Sequence, residues 1–276
     1  MQDQISKSYI DMWNSFAKNK SISYLTDKYS ANNIVGLTGL ARENEIFRYL
    51  DLKPEHEMID VGCASGHQVF KAAEICKRVV GVDVGVEFID TAKKIAAQNN
   101  VKNVEFLLIE GDKLPYPDQS FDRLICSEVL EHVIDVHPFL DELIRVVKVN
   151  GVVVFTVPNL NNRGTLYKRI KDFFKPVPFV PITDFSMEGI KKHGDAHVRQ
   201  FTLKTFAEFA EQHGLKVERL GGAAFIDGPK IGPIVRIINR PQFMQTLSFA
   251  IERFIAKIPL FKYWGRHVVL KARRVK

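Results

Sequence analysis

MIDVGCASGH, residues Met58 to His67, is the stretch whose reading decides the fold. An apolar run ends on an acid, Asp60, and then breaks into two glycines and small residues. The run has the composition of a buried strand. Gly62 lets the backbone turn sharply and removes a side chain that would block a ligand, and Gly66 lets a helix begin close against the sheet. In open sheets with such strand-to-helix turns, ligands gather beyond the carboxyl ends of the strands. The turn also discriminates between ligands. A dinucleotide pyrophosphate asks for Gly-x-Gly-x-x-Gly with converging N–H groups, whereas the order here is Gly62-Cys63-Ala64-Ser65-Gly66. Asp60, two residues before the first glycine, suits a cationic ammonium better than a phosphate.

Outward from this turn the pattern alternates. Strands are predicted at Met58–Val61, Val79–Asp83, Val104–Ile109, Arg123–Ser127 and Gly151–Val157, with helices over 66–76, 86–99 and 136–148 between them. Apolar strands separated by helices imply a parallel sheet covered on both faces, a doubly wound α/β fold. Upstream, Ile5, Tyr9, Met12, Trp13 and Phe16, then Leu40, Ile46, Phe47 and Leu50, carry helical spacing. After Pro158 regularity lapses through a basic and proline-rich stretch. It returns with a helix over Leu203–His213, a strand at Lys216–Leu220 and a last strand at His267–Ala272. About 45 residues between those two strands far exceed a simple connection.

The motifs, in order, resemble the class I S-adenosylmethionine-dependent methyltransferases. Asp60-Val61-Gly62-Cys63-Ala64-Ser65-Gly66 matches their acid-x-Gly-x-Gly-x-Gly motif, with Ala64 in place of the middle glycine. VVGVDVGVEFIDTAKK is similar to the second strand ending in an acid, which implies that Asp83 binds the two ribose hydroxyls, with Val84 beside it. VEFLLIEGDKLPYPDQSFDRLICSEVLEHV resembles the third and fourth strands of the group that includes small-molecule and quinone methyltransferases. That implies Asp112 at the adenine amino group with Lys113 alongside, and Ser127 and Glu128 flanking the methionine part. LDELIRVVKVNGVVVFTVPN resembles the next helix, turn and strand, with Asn150 at the turn where Asn tolerates the left-handed conformation. The resemblance covers about residues 40–220 and the closing strand. It implies a Rossmann-like seven-stranded sheet with the last strand antiparallel, N-terminal helices over the cofactor, and a substrate-capping insertion. Its cofactor is S-adenosylmethionine, held by Asp60, Gly62, Cys63, Ala64, Gly66 and the residues named above.

Methyl transfer from a sulfonium is an in-line displacement on an activated donor, so positioning is the main task. No metal is required, and no His, Cys or carboxylate cluster along the chain suggests one. A general base is needed only when the acceptor must lose a proton. His132 follows the fourth strand and is either such a base or a helix-packing histidine. His193 and His197 fall in the irregular region that closes the substrate site in this family. His197 is the preferred base or substrate-orienting group, against a plain hydrogen-bonded loop histidine. Asn-Pro-Pro-Tyr, the mark of many amino methyltransferases of bases and of protein glutamine, is absent after the fourth strand, where Ser127-Glu128-Val129-Leu130 stands.

Composition sets the remaining bounds. The 276 residues are 46% hydrophobic and 26% charged, an ordinary folded chain without a membrane-spanning run or a recognisable signal peptide. A cytoplasmic location is the expectation, with a peripheral membrane contact as one option. Cys63, Cys76 and Cys126 read as buried thiols. Residues 223–276 hold 11 Lys and Arg against 2 Asp and Glu, while the rest holds 28 against 30, so the basic character is C-terminal. There Phe243, Leu247, Ile251, Phe254 and Ile258 form an apolar stripe among basic and aromatic residues. Three occupants remain open for 231–266: the protein's own core or a homodimer partner, an anionic membrane surface, and, more weakly, nucleic acid.

The organisation read from the chain is thus N-terminal helices over 1–50, a methyltransferase core over 51–222 with a cap at 159–200, and a basic amphipathic insertion with the closing strand over 223–276. The expected function is methyl transfer to a small or lipid-linked acceptor such as a quinone precursor or a glycolipid or polysaccharide intermediate. An RNA methyltransferase using the basic segment and a non-catalytic cofactor-binding scaffold are the alternatives.

Overall fold

The computed structural model describes residues 14, 17–18, 34–110 (34–38 by backbone alone), 113–159, 197–224, 250, 254 and 265–276. Asp112, His193, most of the expected cap at 159–200, most of the 231–266 segment and the first N-terminal helical pattern lie outside the described residues.

Helix α1 (Ile34–Leu50) is followed by β1 (Glu57–Val61), α2 (His67–Ala73), β2 (Arg78–Asp83), α3 (Val86–Gln98), β3 (Val104–Leu108) and β4 (Phe121–Ser127). Then come α4 (Val136–Val146), β5 (Val147–Pro158), α5 (Leu203–Gln212), β6 (Leu215–Ala223) and β7 (His267–Arg274). One seven-stranded sheet runs in the order β3-β2-β1-β4-β5-β7-β6. β3, β2, β1, β4 and β5 are parallel, while β7 runs antiparallel to both β5 and β6. The expected Rossmann-like architecture with an antiparallel last strand is therefore present. Strand order reverses between β1 and β4, which opens a crevice at their carboxyl ends.

The alternation of side chains across a strand explains the layering. Ile59, Val61, Leu124, Cys126, Val153 and Phe155 point to one face and pack with Phe139, Leu140 and Leu143 of α4 and Leu203 and Phe206 of α5. Met58, Ile125, Val152 and Val154 point to the other, against Ile46 and Leu50 of α1, Val69 and Ala72 of α2, and Ile89 and Ala92 of α3. Both faces are covered, so the strands read as nearly continuous apolar runs. All three cysteines are buried and unpaired, and burial pushes the Cys76 thiol up to about 11.

Several element boundaries differ from the sequence reading, the start of β5 most of all. β5 begins at Val147, and α4 ends at Val146, short of the expected 148. Val147 pairs with Phe121 before a bulge shifts the register to Arg123 with Val152. Val146 and Val147 are both fully buried, so a helical period and a strand run both fit these residues. Asn150 at the following turn adopts φ 65°, the left-handed conformation expected of it.

Candidate active site

The turn after β1 is wound by three residues of positive φ: Gly62 at 79°, Ala64 at 45° and Gly66 at 86°. The Gly62 and Cys63 amides donate to the Val82 carbonyl at 2.8 and 3.0 Å, which folds the turn across the end of β2. Both glycines are required by space as well as by conformation. A Cβ on Gly62 would stand 2.2 Å from Val129 Cγ2, and one on Gly66 would stand 2.8 Å from the Phe106 ring. Ala64, by contrast, holds a left-handed conformation that costs an L residue about 1–2 kcal/mol. Its amide donates to Asp83 Oδ2 at 2.8 Å.

Asp83 ends β2, and its other oxygen, Oδ1, accepts from the Gly85 amide at 2.8 Å. Burial raises its carboxyl above the ordinary value, while the Gly85, Ala64 and Val84 amides pull it back down. A carboxylate has about four acceptor positions, so each oxygen keeps capacity for a hydroxyl donor. Val84 is half-buried against the core. Asp60 is 2% exposed inside the sheet, between Gly81 and Ile125 in register, where its charge contributes to the raised Cys63 and Cys126 thiols after burial itself. The Ile109 amide donates to the Asp83 carbonyl at 3.0 Å, which holds the end of β3 beside Asp83; Lys113 is exposed. Above the turn, Ala17 packs with Ala64 and Phe88, and Asn14 Oδ1 accepts from the Val86 amide at 3.0 Å.

The segment after β4 closes the other side. Ser127 Oγ lies 2.8 Å from Thr156 Oγ1, which donates to Glu128 Oε1 at 2.9 Å. Glu128 sits at φ 60°, and its amide donates to the Thr156 carbonyl at 2.9 Å. Its second oxygen faces Arg42 Nη1 of α1 at 3.3 Å and His267 Nδ1 of β7 at 2.9 Å. Donation to Glu128 puts the His267 proton on Nδ1, so the 3.5 Å approach of Arg42 to that nitrogen is not a hydrogen bond. Burial holds the His267 pKa below the usual imidazole range; Glu128 opposes this and Arg42 reinforces it. The sequence reading placed Glu128 beside the methionine part of the cofactor. Its side chain enters this buried network with Arg42, Thr156 and His267, none of which was singled out.

Further along the same segment the two candidate histidines meet. The His132 and His197 rings are 4.9 Å apart, and His132 Nε2 is 3.7 Å from Glu131 Oε1. The Val198 and Arg199 amides donate to the Glu131 carbonyl at 2.8 and 3.3 Å. Arg199 Nη2 donates to the Val133 and Ile134 carbonyls at 2.7 and 2.8 Å, so the strap before α5 is stapled to the loop after β4. The statement that no His, Cys or carboxylate cluster exists is corrected here: folding brings Glu131, His132 and His197 together, with one ligating atom of each within 4.8 Å of the others. Their separation in the chain concealed it.

A sheet of this strand order, with a glycine cradle after β1, a carboxylate closing β2 and a polar segment after β4, defines a class I S-adenosylmethionine-dependent methyltransferase. The family model described as "Methyltransferase domain" matches residues 52–206, and the chain belongs to that family. A ubiquinone biosynthesis O-methyltransferase of Colwellia psychrerythraea is 27% identical over 78% of this chain and 80% of its own length. An uncharacterized methyltransferase of Bacillus subtilis, YcgJ, is 32% identical over 37% of this chain, and the match spans 40% of that protein. Among solved structures, a Streptomyces coelicolor geranyl diphosphate C-methyltransferase in complex with Mg2+, geranyl diphosphate and S-adenosyl-L-homocysteine has a TM-score of 0.58 at 17% identity. It covers 86% of this chain and 80% of its own. At that identity the likeness speaks for the fold.

The residues fit S-adenosylmethionine. Val129 and Phe106 leave no room for a side chain at Gly62 and Gly66, so the turn is held tight at the carboxyl end of β1. Asp83 presents a bidentate acceptor at the end of β2, and Asp60 is a buried carboxylate at the end of β1. Among the described residues no helix is long and apolar enough to cross a membrane.

Proposed function

We propose that the protein transfers a methyl group from S-adenosylmethionine to an oxygen of a small or lipid-linked acceptor, with a quinone precursor as the favoured class. The observation that carries this reading is the convergence of His132 and His197 on the segment whose Val129 packs against Gly62. When bound, S-adenosylmethionine supplies an already activated methyl group. In this reading Asp83 accepts from the ribose hydroxyls, and Asp112 and Lys113 meet the adenine. The Gly62–Gly66 backbone and Asp60 hold the amino-acid end. Ser127 flanks the methionine part, and Glu128 fixes that loop through Arg42 and His267 rather than reaching the ligand itself. His132 and His197 orient the acceptor oxygen and favour its loss of a proton.

The acceptor class draws support from the Colwellia relative and from a demethylmenaquinone methyltransferase of Lactobacillus johnsonii, 26% identical over 67% of this chain and 78% of its own length. Quinone precursors carry apolar tails, so a membrane contact through 231–266 belongs to the same proposal; exposed Phe254, in a stretch rich in basic and aromatic residues, supports it. The test is a methyl-transfer screen of hydroxylated quinone precursors and glycolipids, with and without anionic vesicles. Turnover of a phenolic precursor that falls at least tenfold in His197→Ala supports the reading. Turnover within a few fold of wild type in that variant removes the histidine from the mechanism.

A further inference from the structure

We propose that Glu131, His132 and His197 form a site for one divalent transition-metal ion of the zinc, iron, cobalt, nickel or manganese class. Two imidazoles and a carboxylate offer ligating atoms within 4.8 Å of one another. Ligand bonds of about 2.0–2.2 Å require those atoms to draw together by about an ångström, a movement within reach of side-chain rotation. The frame behind them is already fixed. Two amides of the strap, Val198 and Arg199, donate to the carbonyl of Glu131 itself, and the Arg199 side chain bonds the next two carbonyls. The ligands thus come from two segments 65 residues apart that backbone hydrogen bonds hold in register.

The donor set selects the ion. Imidazole nitrogen favours borderline metals over magnesium and calcium, which prefer all-oxygen shells. Three protein ligands leave coordination positions open, the pattern of catalytic rather than structural sites. Glu131 is 1% exposed, and a carboxylate placed so deep beside two imidazoles gains from a cation among them. The loop also carries Val129, which touches Gly62, so an ion here stands at the acceptor side of the cofactor turn.

The metal's role, though not its binding, rests on the function proposed above. An acceptor hydroxyl in an open position loses its proton to solvent more readily. Its oxygen lone pair then forms the O–CH3 bond while the C–S bond breaks. The electron pair stays on sulfur and leaves S-adenosylhomocysteine.

The test is titration of Co2+, and separately Zn2+, into the full chain, read by calorimetry and by the visible absorption of bound Co2+. S-adenosylmethionine binding is measured on the same preparations without metal. One equivalent is expected to bind in the micromolar range or tighter. His197→Gln and Glu131→Gln should each weaken it at least tenfold with cofactor binding unchanged. His137→Ala serves as a control because His137 Nδ1 lies 3.0 Å from His213 Nε2 in a second, exposed imidazole pair, and it should leave the equivalent in place. If Glu131→Gln loses cofactor binding through misfolding, His197→Gln decides alone. Absence of a bound equivalent in wild type, equal binding in His197→Gln, or its loss in His137→Ala overturns the proposal. Failure of cofactor binding would instead strike the methyltransferase reading and leave the metal result standing.

Discussion

The turn after β1 and the segment after β4 touch at Gly62 and Val129, yet they are assembled in opposite ways. The first is local: its shape comes from glycines within five residues, and its partner Asp83 lies only 19 residues from Ala64. The second is collected from the whole chain. Glu128 is held by Arg42 and His267, two residues 225 apart, and Glu131 and His132 are joined to His197 by the strap before α5. In the proposed reading, cofactor binding depends on a short motif and acceptor binding on long-range packing.

This contrast breaks down if the network after β4 is dispensable. Arg42→Ala leaves the Glu128 carboxylate without its guanidinium partner in a buried place, and is expected to cost about 3–5 kcal/mol. The urea midpoint measures it, and a shift no larger than that of an exposed ion pair would refute the role given to Arg42. On the local side, Gly62→Ala combines left-handed strain with a clash against Val129 and should cost about 2–4 kcal/mol. Cofactor affinity should fall with it.

The pH dependence sharpens the comparison. His267 has a folded pKa below its unfolded value near 6.5, so the unfolded chain binds the extra proton first. Stability should fall as pH drops below about 6.5 toward the folded pKa, by at most about 1.4 kcal/mol per pH unit. His56, lowered by burial and Arg123, adds a slope of the same sign. Denaturant melts of His267→Gln between pH 7 and 5 should lose only the His267 share, while an unchanged slope would remove that histidine from the account. The smallest effect is expected at Ala64→Gly. Relief of left-handed strain is largely offset by the greater chain entropy of glycine, so stability should change by about 1 kcal/mol or less, without loss of cofactor affinity.

What the sequence made legible follows the same division. Strand runs such as VVGVD and LICS, the turn glycines and Asn150 were readable because each depends on near neighbours. Asp83 was picked out by the resemblance of VVGVDVG to a strand ending in an acid, and it does end β2. Arg42 and His267 were not, since nothing in either one's surroundings names a partner so distant. Glu131 was passed over beside His132, because its meaning as a candidate ligand appears only once His197 is folded back onto it. The register shift at the start of β5 was hidden by a Val146-Val147 pair that suits helix and strand alike.

Calorimetric titration of S-adenosylmethionine into wild type, Asp83→Ala and His197→Gln tests the central claim most directly. The account predicts binding in the micromolar range, about −8 kcal/mol, that is lost in Asp83→Ala and retained in His197→Gln. No binding to wild type, or equal loss in both variants, would contradict a cofactor site built locally and separately from the acceptor site.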